Sequence, residues 1–104
     1  MTEVQKRKAG EILRQFRGDS YTFGLGVLDK VGEYAADLGK TAMVIANPAD
    51  WLKPTVDRVL SALKKQGVKL APDYIVPDAA PNAPREDVFR LETYILHFQP
   101  EVII

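Results

Sequence analysis

His97 is the single imidazole in this chain of 104 residues, and there is no cysteine. The groups able to act as nucleophile, proton carrier or metal ligand near neutral pH are therefore few. A lone histidine can serve as a base or a ligand. His97, however, falls off the apolar stripe of its segment and near a helix C-terminus, where a cation is mildly favoured, so it reads as a structural or surface residue. The missing cysteines exclude disulfides, thiolate metal sites and a cysteine nucleophile, and they fit a reducing compartment. Asp19, Asp29, Glu33 and Asp37 form no catalytic pair and read as turn or solvated helix residues. No catalytic residue is assigned. What remains are two carboxamides at informative places: Asn47, after the run TAMVIA, and Asn82, in the loop PDAAPNAPRED.

The size and charge narrow the setting. Fourteen basic residues balance fourteen acidic ones, so bulk charge supports neither a nucleic-acid nor a membrane partner. The Lys6–Arg7–Lys8 cluster is short and reads as a solvated helix face. The N-terminus MTEVQKRKAG has no apolar stretch for a signal peptide, and no segment reaches the roughly 18 to 20 apolar residues of a membrane span. The expected location is cytoplasmic.

The elements that must position Asn47 and Asn82 follow from periodicity. Residues 3–13 suit a short helix. Gln15 to Phe23 reads as a β-hairpin turning at Gly18–Asp19, because Phe16, Tyr21 and Phe23 suit strands and Gly-x suits the turn. Gly24 and Gly26 open a helical segment with Leu28, Val31, Ala35 and Leu38 on one stripe, closed by a left-handed cap at Gly39. Gly24 and Gly26 alone are not a dinucleotide fingerprint, since the third glycine is absent. Thr41 to Ala46 is nearly continuous apolar sequence, as in a strand buried on both faces of a parallel sheet.

Pro54 suits the first turn of the next helix, Val56, Val59, Leu60 and Leu63 form its stripe, and Gly67 caps it. Trp51, in the loop before it, either covers an adenine or packs on that helix. A second strand lies within Val68 to Val76, broken at Pro72. Pro84 begins the last helix, whose stripe is Val88, Leu91, Ile95 and Phe98, and Val102 to Ile104 forms a third strand. Such alternation specifies an α/β fold: a Rossmann-like parallel sheet with flanking helices, here with an N-terminal β-hairpin. Val102 to Ile104 is expected in the middle of a doubly wound sheet, whose strand C-termini bind ligands. The chain stops where a phosphate-binding loop and helix would follow, so the domain is expected to be incomplete.

Four stretches in order resemble the iron-containing alcohol dehydrogenase family, which includes glycerol dehydrogenases. YTFGLGVLDKVGE resembles its opening Phe-Gly-x-Gly strand and helix, and GKTAMVIAN its first cofactor strand, which commonly ends in aspartate. VPDAAPNAPREDV is similar to its Pro-Asn-Pro loop and following helix, and FQPEVII to the strand that enters its Gly-Gly-Gly-Ser loop. The resemblance runs from Tyr21 to Ile104. Residues 1–20 read as an N-terminal helix and the start of the hairpin, and the resemblance makes residues 21–104 the N-terminal part of a dinucleotide-binding α/β domain truncated before the glycine-rich loop. It also implies NAD or NADP as cofactor, a small alcohol or aldehyde as substrate, and in the full-length parent a divalent metal, iron or possibly zinc. The metal ligands would all lie in a later helical domain, so this chain alone is expected to be inactive.

The resemblance places Asn47 and Pro48 at the cofactor ribose. Asparagine there lacks the charge of the usual aspartate and leaves the choice between NAD and NADP open. The other reading of Asn47 is a strand-ending turn residue before Pro48. Asn82 falls on the asparagine of the Pro-Asn-Pro loop, a cofactor contact in the family, with Pro84 one place late. Its other reading is a helix N-cap. The alternative function is a non-catalytic α/β interaction module that docks, or self-associates, through the apolar edge of its third strand.

Overall fold

The computed structural model describes residues 2–104. Helix α1 spans Glu3–Arg17 and opens on a capping box. The Thr2 hydroxyl accepts the Gln5 N–H at 3.2 Å, and the Gln5 side chain accepts the Thr2 N–H at 2.8 Å. The helix runs four residues further than its expected end at Leu13. The expected hairpin is therefore absent: Gln15 and Phe16 are helical, Gly18–Ser20 is a 3-10 turn, and Tyr21 to Phe23 joins no strand. The cause is local. Ile12, Leu13 and Phe16 continue a helical spacing, and Gly18, with φ of +61°, ends the helix by donating its N–H to the Arg14 carbonyl. A positive φ serves a helix terminus as well as a turn, and an isolated two-stranded hairpin is marginal in water.

The second helical segment begins as a 3-10 turn at Leu28–Lys30 and continues as α2, Val31–Leu38. Gly39 does not adopt the left-handed conformation expected of it; its φ of 176° is extended. Glycine is required there for space. A Cβ on Gly39 would sit 2.5 Å from the Cβ of Glu101.

Five short parallel strands follow: β1 Thr41–Met43, β2 Ile45–Ala46, β3 Lys69–Leu70, β4 Val76–Pro77 and β5 Val102–Ile103. β1 and β2 form one extended run. Val44 between them accepts the Val76 N–H at 2.9 Å, and Ile45 donates to the Ile104 carbonyl at 2.8 Å. β3 and β4 are likewise two halves of one passage, parted at Pro72, which lacks an N–H. The central run thus has β3 and then β4 on one side and β5 on the other.

Helix α3, Lys53–Lys65, carries the chain from the centre to one side. Helix α4, Arg85–Phe98, returns it across to the other. The two crossovers run in opposite directions from the centre, and with the right hand usual for parallel connections α3 and α4 lie on opposite faces. β5 lies at an edge of the three-stranded sheet, the open edge expected of the third strand in this chain.

The core fills the α2–α3 side. Ala35, Ala42, Val44, Leu63, Val68 and Val102 are buried together, with Val59, Leu60 and Ile75 packed against them. Side-chain alternation along β1 sends the fully buried Met43 to the other face. On that side Phe98 stacks on Tyr94 and meets Tyr74 edge-on, with ring centroids at 6.1 and 6.4 Å.

The closest approach of the two core helices is at Gly32. A Cβ there would overlap the Ala62 carbonyl oxygen and lie 2.7 Å from its carbon, so α2 and α3 pack backbone to backbone. Gly32→Ala is expected to destabilise the chain by about 1–3 kcal/mol, with the melting temperature falling about 4–8 °C for each kcal/mol. Gly10→Ala is the control. Nothing lies within 4 Å of its new Cβ on the exposed α1, and the melt is expected to hold or rise slightly. Equal effects of the two changes in calorimetry would contradict the backbone contact.

Candidate cofactor cleft at the strand ends

β2 ends at Ala46, and the next five residues turn the chain into α3. The Asn47 side-chain oxygen accepts the Ala49 N–H at 2.9 Å, closing an Asx turn around Pro48. A 3-10 turn, Asp50–Leu52, follows, and Pro54 stands in the first turn of α3 as expected. A cleft of about 300 Å³ opens here at the carboxyl ends of β2 and β4, lined by Asn47, Pro48, Asp50, Lys53, Ile75 and Pro77 among others. Lys53 pairs with Asp57 at 3.0 Å across an exposed helical turn.

Asn47 is therefore the turn residue that one reading expected, and its place at the strand end also keeps the other reading open. The turn uses its carboxamide oxygen. Its NH₂ group is the part that can meet a ligand, and that group is a donor. A donor suits a ribose hydroxyl or a phosphate oxygen equally, whereas a carboxylate would repel the phosphate.

Asn82 is held differently. It has φ of +67° and follows Pro81 in the turn closed by Ala83 N–H to the Ala80 carbonyl at 3.0 Å. Proline then asparagine with positive φ is the signature of a type II turn. The expected N-cap role is not filled by Asn82, because Pro84 stands at that position and has no side-chain acceptor to offer. Asn82 does not line the cleft beside Asn47.

Two residues of α4 that the sequence reading left without a site role fix this loop. Asp87 accepts the Ala80 N–H at 2.9 Å. Arg90 donates to the carbonyls of Pro77 and Asp78 at 3.0 and 2.9 Å. The available signal was an acid and an arginine at i and i+3 opening a helix behind a proline-rich loop. Fork-like donation of this kind is particular to arginine.

Trp51 is 77% exposed, so it does not pack on α3. His97 is exposed and meets Phe98 edge-on at 4.7 Å, off the stripe as expected. Gly24 and Gly26 have φ of +149° and +70° and shape the loop before α2. Among the described residues no three histidine, aspartate or glutamate side chains are grouped to hold a metal ion. No described helix is long and apolar enough to cross a membrane.

No protein-family model, curated protein or solved structure gives a significant match to this chain.

The turn geometry separates two effects of changing Asn82. Asn82→Ala places a Cβ-bearing residue without asparagine's local hydrogen bonding in the left-handed region and is expected to cost about 1 kcal/mol. Asn82→Gly is expected to leave the melt within about 0.5 kcal/mol of the starting chain. Equal losses from both in chemical denaturation would mean that the side chain, and not the backbone angle, is what the loop needs.

Proposed function

We propose that this chain is the N-terminal cofactor-binding part of a metal-dependent, NAD(P)-linked alcohol dehydrogenase, with a Rossmann-like domain that continues past residue 104. The observation that carries this reading is the reversal of strand order. The second and third strand passages lie on opposite sides of the first, so the carboxyl ends of β2 and of Ile104 stand side by side. In open α/β sheets that junction is where nucleotides bind, outside the strand ends. Asn47 and Pro48 stand at this end. The four family-like stretches give the chemical identity.

In this role Asn47 donates its amide to the adenosine ribose or its 2′-phosphate, and Pro48 stiffens the loop that carries it. The nicotinamide cofactor accepts a hydride from the alcohol when bound in the full-length protein. The resemblance places the iron or zinc in a later helical domain of the full-length protein. The isolated chain would bind and not catalyse.

A second reading has its own observation. β5 is an edge strand, and Ile103 is 51% exposed. Alternate residues of a parallel strand turn both backbone groups to the same side, and Ile104 faces β1, so Ile103 turns its groups to the open edge. A docking module would add a strand there.

Asn47→Asp tests the first reading cleanly. A carboxylate accepts the Ala49 N–H as the amide oxygen does, so stability should not change. In the full-length enzyme the ratio of kcat/KM for NADP over that for NAD is expected to fall about 5- to 150-fold, the equivalent of about 1–3 kcal/mol of like-charge repulsion. An unchanged ratio removes Asn47 from the cofactor site. An open reading frame without dehydrogenase activity would favour the docking module.

A further inference from the structure

We propose that the cleft between α1 and the segment Tyr21 to Leu25 receives the outer face of helix α4 from a second copy of this chain. The cleft has a volume of about 940 Å³. Leu13, Tyr21 and Phe23 contribute its apolar walls, and Lys6, Arg14 and Lys30 rim it against one carboxylate, Asp19. Phe23 is 69% exposed. Helix α1 rests mainly on the 3-10 turn that follows it rather than on the α/β body. The radius of gyration, 16.0 Å, exceeds the roughly 13 Å of a compact chain of this length. The cleft is thus a gap between an arm and a body, walled by apolar side chains that the chain's own fold leaves open.

Charge selects the occupant. Residues 1–17 hold five of the fourteen basic residues and two of the fourteen acidic ones, leaving nine basic and twelve acidic in residues 18–104. On the outer face of α4, Phe89 and Leu96 stand two turns apart and are 58% and 66% exposed. Glu92 lies between them, and Glu86 and Arg85 stand one turn before Phe89, so this face carries two carboxylates against one guanidinium; among the described residues neither glutamate is in an ion pair. Among the described residues, Lys6 and Lys30 are held only by exposed carboxylates one turn away, at 3.1 and 3.5 Å, pairs that bind weakly. Apolar anchors flanked by carboxylates match an apolar groove rimmed by cations, the helix-in-groove mode of recognition.

Geometry sets the form of the assembly. The cleft borders α2 through Tyr34, while α4 covers the opposite face of the sheet. With the two surfaces on opposite faces, one partner cannot fill both contacts at once, so the contact is head-to-tail and continues beyond a dimer or closes into a ring.

Two exposed substitutions test this by sedimentation across a concentration series: Phe23→Asp in the cleft and Leu96→Asp on α4. The unmodified chain should exceed the single-chain mass of 11.6 kDa and pass beyond the dimer as concentration rises. Each variant alone should sediment as one chain. Their equimolar mixture should form two-chain species and nothing larger, because one intact cleft and one intact α4 face remain. Arg14→Glu should restore association lost through Glu92→Lys. An unmodified chain that stays monomeric, whether or not it binds anionic vesicles, overturns the proposal. So do variants that still assemble, or a mixture that does not. Association abolished only by Ile103→Lys would place the contact at the sheet edge and overturn it as well.

Discussion

The strand passage from Thr41 to Ala46 holds the rest of the structure in place. Ala42 and Met43 are fully buried and Val44 is nearly so. Its carbonyls alternate sides: Ala42 accepts from Ala71, Met43 from Ile104 and Val44 from Val76, each at 2.9 Å. One strand thereby fixes the register of the passages on both sides. A strand buried on both faces must be apolar throughout, and parallel neighbours require helical crossovers, so the helices follow from the strand. The small residues follow too. Gly32 lets α2 meet the Ala62 backbone, and Gly39 lets Glu101 pass beside the strand's start.

The same constraint positions the candidate site. A strand that cannot shift presents its last residue at a defined point, and here that residue is followed by Asn47. The loops around it are tied by polar side chains rather than by apolar burial. Asn47 closes its own turn, and Asp87 and Arg90 hold the loop from Pro77 to Ala80 against α4. Three hydrogen bonds from half-buried side chains tie that loop to α4. Rigid loops at strand ends lower the ordering cost of binding a ligand.

Much of the α/β order was legible because periodicity reports burial. TAMVIA reads as a buried strand, and the stripes of α2 and α3 mark the faces that meet it, except at Leu38, which ends α2 72% exposed. Sequence and structure part where one residue type serves two geometries. Gly18 has the positive φ of a turn and uses it to end a helix, so the hairpin vanished. Gly39 was expected to supply the same angle and instead supplies room. Asn82 can cap a helix, but Pro81 before it commits it to the turn. Arg90 escaped notice because its partners are main-chain carbonyls, which leave no trace in composition. The candidate site at Asn47 was readable as a position, since strand ends are predictable from strands. The cleft beside it depends on Ile75 and Pro77, which reach it only through pairing across the sheet.

The claim at the centre of this account is that a nicotinamide dinucleotide meets the carboxyl end of the central strand passage. Amide resonances of the isolated chain, followed by two-dimensional nuclear magnetic resonance during titration with NADP, test it most directly. The account expects saturable shifts confined to Asn47, Ala49, Asp50 and Ile104, with those of α1 unmoved. Shifts absent from these residues at saturating cofactor, or present only elsewhere, would contradict it.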